Sequence, residues 1–161
     1  MQYRKAIEVT TLYNEYKYYI HHDRDIVKLK QKVATIIREK SFVPMMNDLK
    51  WLQLQHAVNS LSFAPAYQFR CITDTEQTEF LYLKTIPNHE CDWSNYYHEG
   101  MPPLFSIEWI KVRPQLRKHQ GRLIADAIMD ETRAFEAILN NLSIPYTEDN
   151  HIFTIFGYKS I

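Results

Sequence analysis

The residues of this chain best suited to chemistry form a basic run between positions 111 and 122. Six basic side chains fall within twelve positions without an intervening acid: Lys111, Arg113, Arg117, Lys118, His119 and Arg122. Guanidinium groups at this density can clamp a phosphate or a carboxylate. The run therefore predicts an anion-binding site formed by all of these residues except Lys118. The alternative is a solvated loop whose charges pair with Asp126, Asp130 and Glu131 just downstream.

A second segment, between positions 74 and 99, combines acidic and aromatic side chains. This composition is typical of a surface that binds a basic protein, because carboxylates steer the encounter and aromatic side chains anchor the complex. The residues predicted to contact such a partner are Glu90, Asp92, Trp93, Tyr96, Tyr97 and Glu99. The alternative is that the aromatic side chains fold back over the sheet and the acids are simply solvated.

Metal binding and covalent catalysis have weaker support. His89, Cys91 and His98 are spaced as His-x-Cys-x6-His, which is not a usual zinc pattern and offers a single thiolate. Cys91 is also the best candidate nucleophile, but no motif for an oxyanion hole accompanies it. Glu108 would suit general acid or base catalysis if it were buried, whereas the alternative is that it faces water or pairs with Arg113 or Lys111. The sequence thus predicts no catalytic residue, no metal and no cofactor.

Composition excludes several other classes. Lys and Arg number 19, as do Asp and Glu, so the net charge is zero and no overall charge attracts nucleic acid. Three glycines are too few for phosphate-binding loops, and two cysteines are too few for a secreted disulfide scaffold. The first residues lack the apolar region of a signal peptide, and no apolar run approaches the length of a membrane span. We therefore expect a cytoplasmic protein with neither nucleic-acid nor membrane partners.

The hydrophobic pattern predicts one α+β domain with an antiparallel sheet of about four strands and helices on one face. Residues 1–40 are predicted to be a helical extension that forms a helix pair, with Asp25 as the N-cap of the second helix. This extension could also form a dimer through residues 3–39. The predicted strands are 67–72, 80–84, 105–112 and 151–157, and the predicted helices are 48–61 and 127–141, with Asn47 and Asp126 as N-caps. The predicted core residues are Trp51, Phe69, Ile107, Trp109, Phe135, Leu139 and Phe153.

Three stretches carry a family resemblance. They are FVPMMNDLKW at 42–51, FSIEWIKVRP at 105–114 with KHQGRLI at 118–124, and IPY at 144–146 with FTIFGY at 153–158. Over about residues 42–158 the chain resembles a family of small bacterial proteins of unknown function. Because that family has no established activity, the resemblance assigns no catalytic residues. Small bacterial proteins of this kind often act as immunity partners of toxins.

The function expected is therefore protein binding, by an immunity or antitoxin-like protein that neutralises a cognate bacterial toxin. Two alternatives remain open. One is an enzyme that acts on a phosphorylated or anionic small molecule through the basic 111–122 run. The other is a structural adaptor that self-associates through its N-terminal helices.

Overall fold

The computed structural model describes residues 2–76, 81–95 and 100–161, and for residues 2–8, 81 and 82 it describes the backbone alone. The helices are α1 (Gln2–His22), α2 (Arg24–Glu39), α3 (Asp48–Val58) and α4 (Thr132–Asn141). The strands are β1 (Phe42–Pro44), β2 (Ala66–Cys71), β3 (Ile107–Arg113), β4 (Gln115–Lys118), β5 (Ala127–Asp130), β6 (Thr147–Asp149), β7 (Ile152–Phe156) and β8 (Tyr158–Ser160). Two 3-10 turns, Leu81–Lys84 and Leu104–Ser106, complete the fold.

The predicted N-terminal helix pair is confirmed. The two helices are separated at Asp23, whose side chain accepts hydrogen bonds from the backbone N–H groups of Asp25 and Ile26 at 3.0 and 3.1 Å. Asp23 is therefore the N-cap of α2, two residues before the position predicted from the sequence. Tyr16 and Ile20 of α1 are buried in the main core, which ties the helix pair to the rest of the domain.

The central sheet is antiparallel, in the order β2-β3-β7-β6, which confirms the predicted α+β class. The core includes side chains from these strands and from α3 and α4. Helix α3 begins after the predicted N-cap, Asn47, and contacts both α1 and α4. It is therefore buried on more than one side, and Trp51, Leu52, Leu54 and Val58 are all buried.

A bulge changes which side chains of β3 face inward. Arg70 pairs with Trp109 but Cys71 pairs with Ile107, so Glu108 is an extra residue in β3. Ile107 and Ile110 are consequently buried, and Trp109 is only half-buried, contrary to the simple alternation predicted from the sequence. Gly157 makes the bulge possible, because a Cβ there would lie 2.0 Å from the carbonyl oxygen of Ile107.

Two predicted elements are wrong. Leu81–Lys84 forms a 3-10 turn instead of a strand, and residue 80 lies outside the described residues. The predicted helix 127–141 is shorter, because Ala127–Asp130 is a strand paired with β4 and the helix begins at Thr132. Asp126 therefore caps no helix. The fourth strand of the central sheet is β6 instead. Strand β1 pairs with β8 as a separate two-stranded sheet.

No helix within the described ranges is both long enough and apolar enough to cross a membrane.

Candidate functional site

The loop that contains the predicted partner-binding acids is fastened to strand β2 and the turn before it. Glu90 Oε1 accepts a hydrogen bond from the backbone N–H of Ala64 at 2.8 Å. The hydroxyl of Tyr67 donates to the backbone oxygen of Asp92. These contacts give the first half of the loop a fixed course along the domain, with the side chains of Glu90 and Asp92 exposed to solvent.

Trp93 turns inward at the end of this fixed segment. Its side chain is 6% exposed, and its indole Nε1 donates to the backbone oxygen of Pro65 at 2.9 Å. The ring lies 5.1 Å from Tyr67 and 6.4 Å from Phe135, centroid to centroid. For Trp93 the alternative stated above, folding back over the sheet, is the one observed. Tyr96, Tyr97 and Glu99 lie outside the described residues, so their predicted contact with a partner stays a prediction.

A large groove opens where this loop meets the helices. Its volume is about 1280 Å³, and it is lined by α1, the start of α2, α3 and residues 91–95. We call it the acidic groove. Its buried apolar lining, the floor, comprises Tyr16, Ile26, Val58 and Trp93. A volume of this size exceeds that of most small-molecule sites, so the groove can accommodate several side chains of another polypeptide.

The rim of the acidic groove carries one sign of charge. Its carboxylates are Glu15, Asp23, Asp25 and Asp92, and none of the described residues that line the groove is a Lys or Arg. Asp23 is engaged as the cap of α2, and Asp92 Oδ1 accepts from the backbone N–H of Ser94 at 2.7 Å. No described contact pairs any of the four with a cation. Among the described residues, the groove therefore presents carboxylates without a paired Lys or Arg over an apolar floor.

Two tyrosines of α1 lie at the edge of this groove. Tyr18 and Tyr19 are 64% and 53% exposed, and the ring of Tyr18 stacks on His22 with centroids 4.0 Å apart. Exposed aromatic side chains beside a cleft suit protein recognition, because they bury a large area at small conformational cost.

The predicted anion-binding residues do not converge on a common point. Arg113 is buried, and it donates from Nε to Gln115 Oε1 at 2.9 Å and from a terminal nitrogen to the backbone oxygen of Leu83 at 2.8 Å. Lys111 donates to the hydroxyl of Thr154 at 3.2 Å and lies 5.5 Å from the ring centroid of Trp109. Burial lowers the pKa of both cations. Both cations therefore donate hydrogen bonds to partners within the domain.

The other cations of the run lie on an exposed hairpin formed by β4 and β5. Arg117 and His119 approach Asp126 at 4.0 and 3.2 Å, and Arg122 is exposed nearby. For Arg117 and His119 the pairing alternative is therefore the one observed. None of the five predicted anion-binding residues lines the acidic groove or the small cavity beside Met45 and Pro145. Glu108 pairs with Arg70, whose Nε lies 2.9 Å from its Oε2, and not with the predicted Arg113 or Lys111.

A polar cluster at the base of the hairpin was not predicted. Asp130 Oδ1 accepts from the backbone N–H of Thr132 at 2.9 Å, and Asp130 Oδ2 accepts from Gln115 at 3.0 Å. The hydroxyl of Thr132 lies 3.1 Å from Nδ1 of His151. Burial raises the pKa of Asp130, but hydrogen bonds from Thr132 and Gln115 outweigh it and leave that pKa below its ordinary value. The cluster thus ties together the start of α4, the hairpin and the turn before β7.

The suggested metal ligands do not form a site in the part of the chain that is described. Within residues 2–76, 81–95 and 100–161, no three His, Cys, Asp or Glu side chains are grouped so as to hold a metal ion. His98 lies outside those ranges. Cys91 is partly buried, and that burial raises its thiol pKa, which disfavours the thiolate that a nucleophile or metal ligand needs.

Fold and groove together define a small α+β domain with a large acidic cleft beside its N-terminal helices. The chain belongs to a family of unknown function, DUF6678, whose model matches residues 33–161. This confirms the resemblance noted above and extends it into the second half of α2. No curated protein and no solved structure matches the chain. The acidic groove therefore combines residues before the matched region, from α1 and the start of α2, with residues inside it, from α3 and the 91–95 segment.

Proposed function

We propose that this protein binds another protein by taking a cationic, partly apolar segment of it into the acidic groove. The observation that carries the proposal is the groove itself, where four carboxylates surround an apolar floor and no described lining residue is Lys or Arg. A cationic segment would find long-range attraction at the rim and apolar burial beneath it. This combination is how protein interfaces gain both association rate and residence time.

A bacterial toxin that acts on nucleic acid is the partner we propose, which would make this protein an immunity or antitoxin-like inhibitor in the cytoplasm. Such enzymes have cationic clefts because their substrates are polyanions. An acidic groove flanked by exposed Tyr18 and Tyr19 has the charge and the aromatic surface to cover such a cleft. The acids of the 90–99 segment, including Glu90 and Asp92, would extend the same negative surface.

The test uses the toxin candidate encoded beside this chain, purified and assayed for its own activity with and without the protein. The decisive variant is Glu15→Lys combined with Asp25→Lys, since both side chains are exposed on the groove rim. We expect it to slow association at least about tenfold at low ionic strength, with a smaller effect at high salt because screening shortens the reach of the rim charges.

The matched control reverses two exposed acids outside the groove lining, Glu39 and Glu76. It changes the net charge equally and should leave inhibition intact. An association rate that the groove double variant leaves unchanged, or that the control variant slows equally, would contradict the proposal. Loss of inhibition on changing Arg117 and Arg122 to Ala would assign recognition to the hairpin instead.

A further inference from the structure

The hairpin formed by β4 and β5 has an exposed apolar tip. Leu123 is 100% exposed, Ile124 is 60% exposed, and Ile128 on β5 is 51% exposed. Isolated surface hydrophobes are ordinary, but this hairpin exposes three of them within six residues of one another. Because Leu123 is fully exposed, the hairpin does not occupy the groove of its own chain.

The same tip is cationic. Residues 117–126 contain Arg117, Lys118 and Arg122 against a single acid, Asp126. All four side chains are exposed, and because Arg117 lies 4.0 Å from Asp126, Lys118 and Arg122 are the cations that no described contact pairs with an acid. The hairpin thus presents Leu123 and Ile124 directly after Arg122, with Lys118 also exposed on the same hairpin, which is the kind of segment that an acidic groove with an apolar floor would take.

We propose that the acidic groove of one copy of this chain binds the β4–β5 hairpin of a second copy. The inference rests on the proposed function in one respect, which is that the groove is a polypeptide-binding site. Leu123 and Ile124 would lie over the floor, near Ile26 and Val58, and Arg122 and Lys118 would meet the rim carboxylates. The chain has zero net charge but carries one acidic and one cationic surface, and these oppositely charged surfaces favour the association of two copies.

The symmetry of the assembly depends on whether the contact is reciprocal. If each hairpin reaches the groove of the other copy, the interface is isologous and closes into a two-fold dimer; if only one does, the interface is heterologous and propagates from copy to copy. In either arrangement α1 and α2 contribute through the groove wall, which gives the N-terminal helices a specific role in self-association. A toxin that binds the same groove would compete with the second copy.

The experiment measures the mass of the full chain by sedimentation equilibrium over a hundredfold range of concentration. Two variants are compared with the wild type, the groove variant Glu15→Lys with Asp25→Lys and the hairpin variant Leu123→Asp with Ile124→Asp. All four side chains are exposed, so thermal unfolding should show that both variants stay folded. We expect each variant alone to self-associate at least about tenfold more weakly than the wild type, because each removes one side of the contact.

The decisive sample is an equimolar mixture of the two variants. The hairpin variant keeps an intact groove and the groove variant keeps an intact hairpin, so the mixture should form heterodimers and nothing larger. A mixture that stays monomeric, or variants that associate as the wild type does, would overturn the proposal.

A wild type that is monomeric throughout would also overturn it. If that monomer sedimented with anionic phospholipid vesicles through Leu123 and Ile124, the hairpin would belong to a membrane surface. Neither outcome touches the proposed function, since inhibition of a toxin through the groove is measured separately. Conversely, self-association without toxin inhibition would leave this inference standing and remove that function.

Discussion

The acidic groove and the β4–β5 hairpin differ in what holds them in place. The floor of the groove consists of core side chains such as Tyr16, Ile26 and Trp93, which are buried whether or not a partner is present. The hairpin is anchored at its base by buried Leu116, while residues 117–126 are exposed except for half-buried Gly121. A substitution in the groove floor should therefore change both binding and folding stability. A substitution at an exposed hairpin residue should change binding with little effect on stability.

The largest difference in folding stability between the two regions is expected when Trp93 is truncated. We expect Trp93→Ala to lower the free energy of unfolding by about 3–5 kcal/mol, since a buried indole with a hydrogen bond to Pro65 is lost. The matched change in the hairpin, Leu123→Ala, should alter it by no more than about 0.5 kcal/mol, because the side chain contacts nothing. Urea denaturation of both variants measures the difference.

Equal losses for the two variants would show that the groove is no more integral to the fold than the hairpin. A loss below about 1 kcal/mol for Trp93→Ala would contradict the burial of Trp93 in the core. It would favour the prediction that Trp93 is an exposed side chain that contacts a partner.

The helical parts of the fold could be predicted because their information is local. The stripe of α2 and the cap of α3 at Asn47 depend on residues a few positions apart. The hairpin was missed for the opposite reason. Ile128, Thr132 and Phe135 are spaced as on a helix, and only pairing with β4, such as Ile128 with Arg117, makes 127–130 a strand. That pairing is nonlocal and leaves no periodic signal.

The groove was only partly predictable for a related reason. The sequence indicates that the segment around Asp92 is acidic and aromatic, and Asp92 does line the groove. Which aromatic side chain turns inward depends on a backbone acceptor at Pro65, some thirty residues away. The rim carboxylates Glu15 and Asp25 come from α1 and α2, and no short window of sequence reports the packing of α1 against α2 and α3.

A smaller effect is expected at the entrance of the groove, at the cap of α2. Asp23→Ala should cost about 1 kcal/mol, because two backbone N–H groups lose their acceptor. Asp25→Ala is the matched control, since its side chain has no such capping bond among the described contacts and loses only the helix-dipole term of about 0.3–1 kcal/mol. Thermal unfolding monitored by circular dichroism should rank the two, and a larger loss for Asp25→Ala would contradict the assignment of the cap.

The smallest expected effect lies at the base of the hairpin and depends on pH. The pKa of Asp130 in the folded protein is below its ordinary value of 3.8, so folding favours its charged form. Its contribution to stability is therefore present above the unfolded pKa and is lost as the pH falls through the folded pKa. The neighbouring ionisable groups are His151, 4.0 Å away, and Arg113, which reaches Asp130 through Gln115. Both favour the carboxylate while they are charged.

Asp130→Asn removes the charge and keeps a side-chain oxygen that can still accept from Thr132. We expect the variant to be less stable than the wild type at neutral pH, by less than the Asp23 change, because Asp130 is partly exposed and water screens its charge. Urea denaturation from neutral to acid pH should show the two proteins converging below the ordinary pKa of the carboxyl. Asp126→Asn, on the exposed part of the same hairpin, changes the net charge equally and controls for it. A difference in unfolding free energy between the two proteins that stays constant over the whole pH range would mean that the Asp130 charge does not stabilise the base of the hairpin.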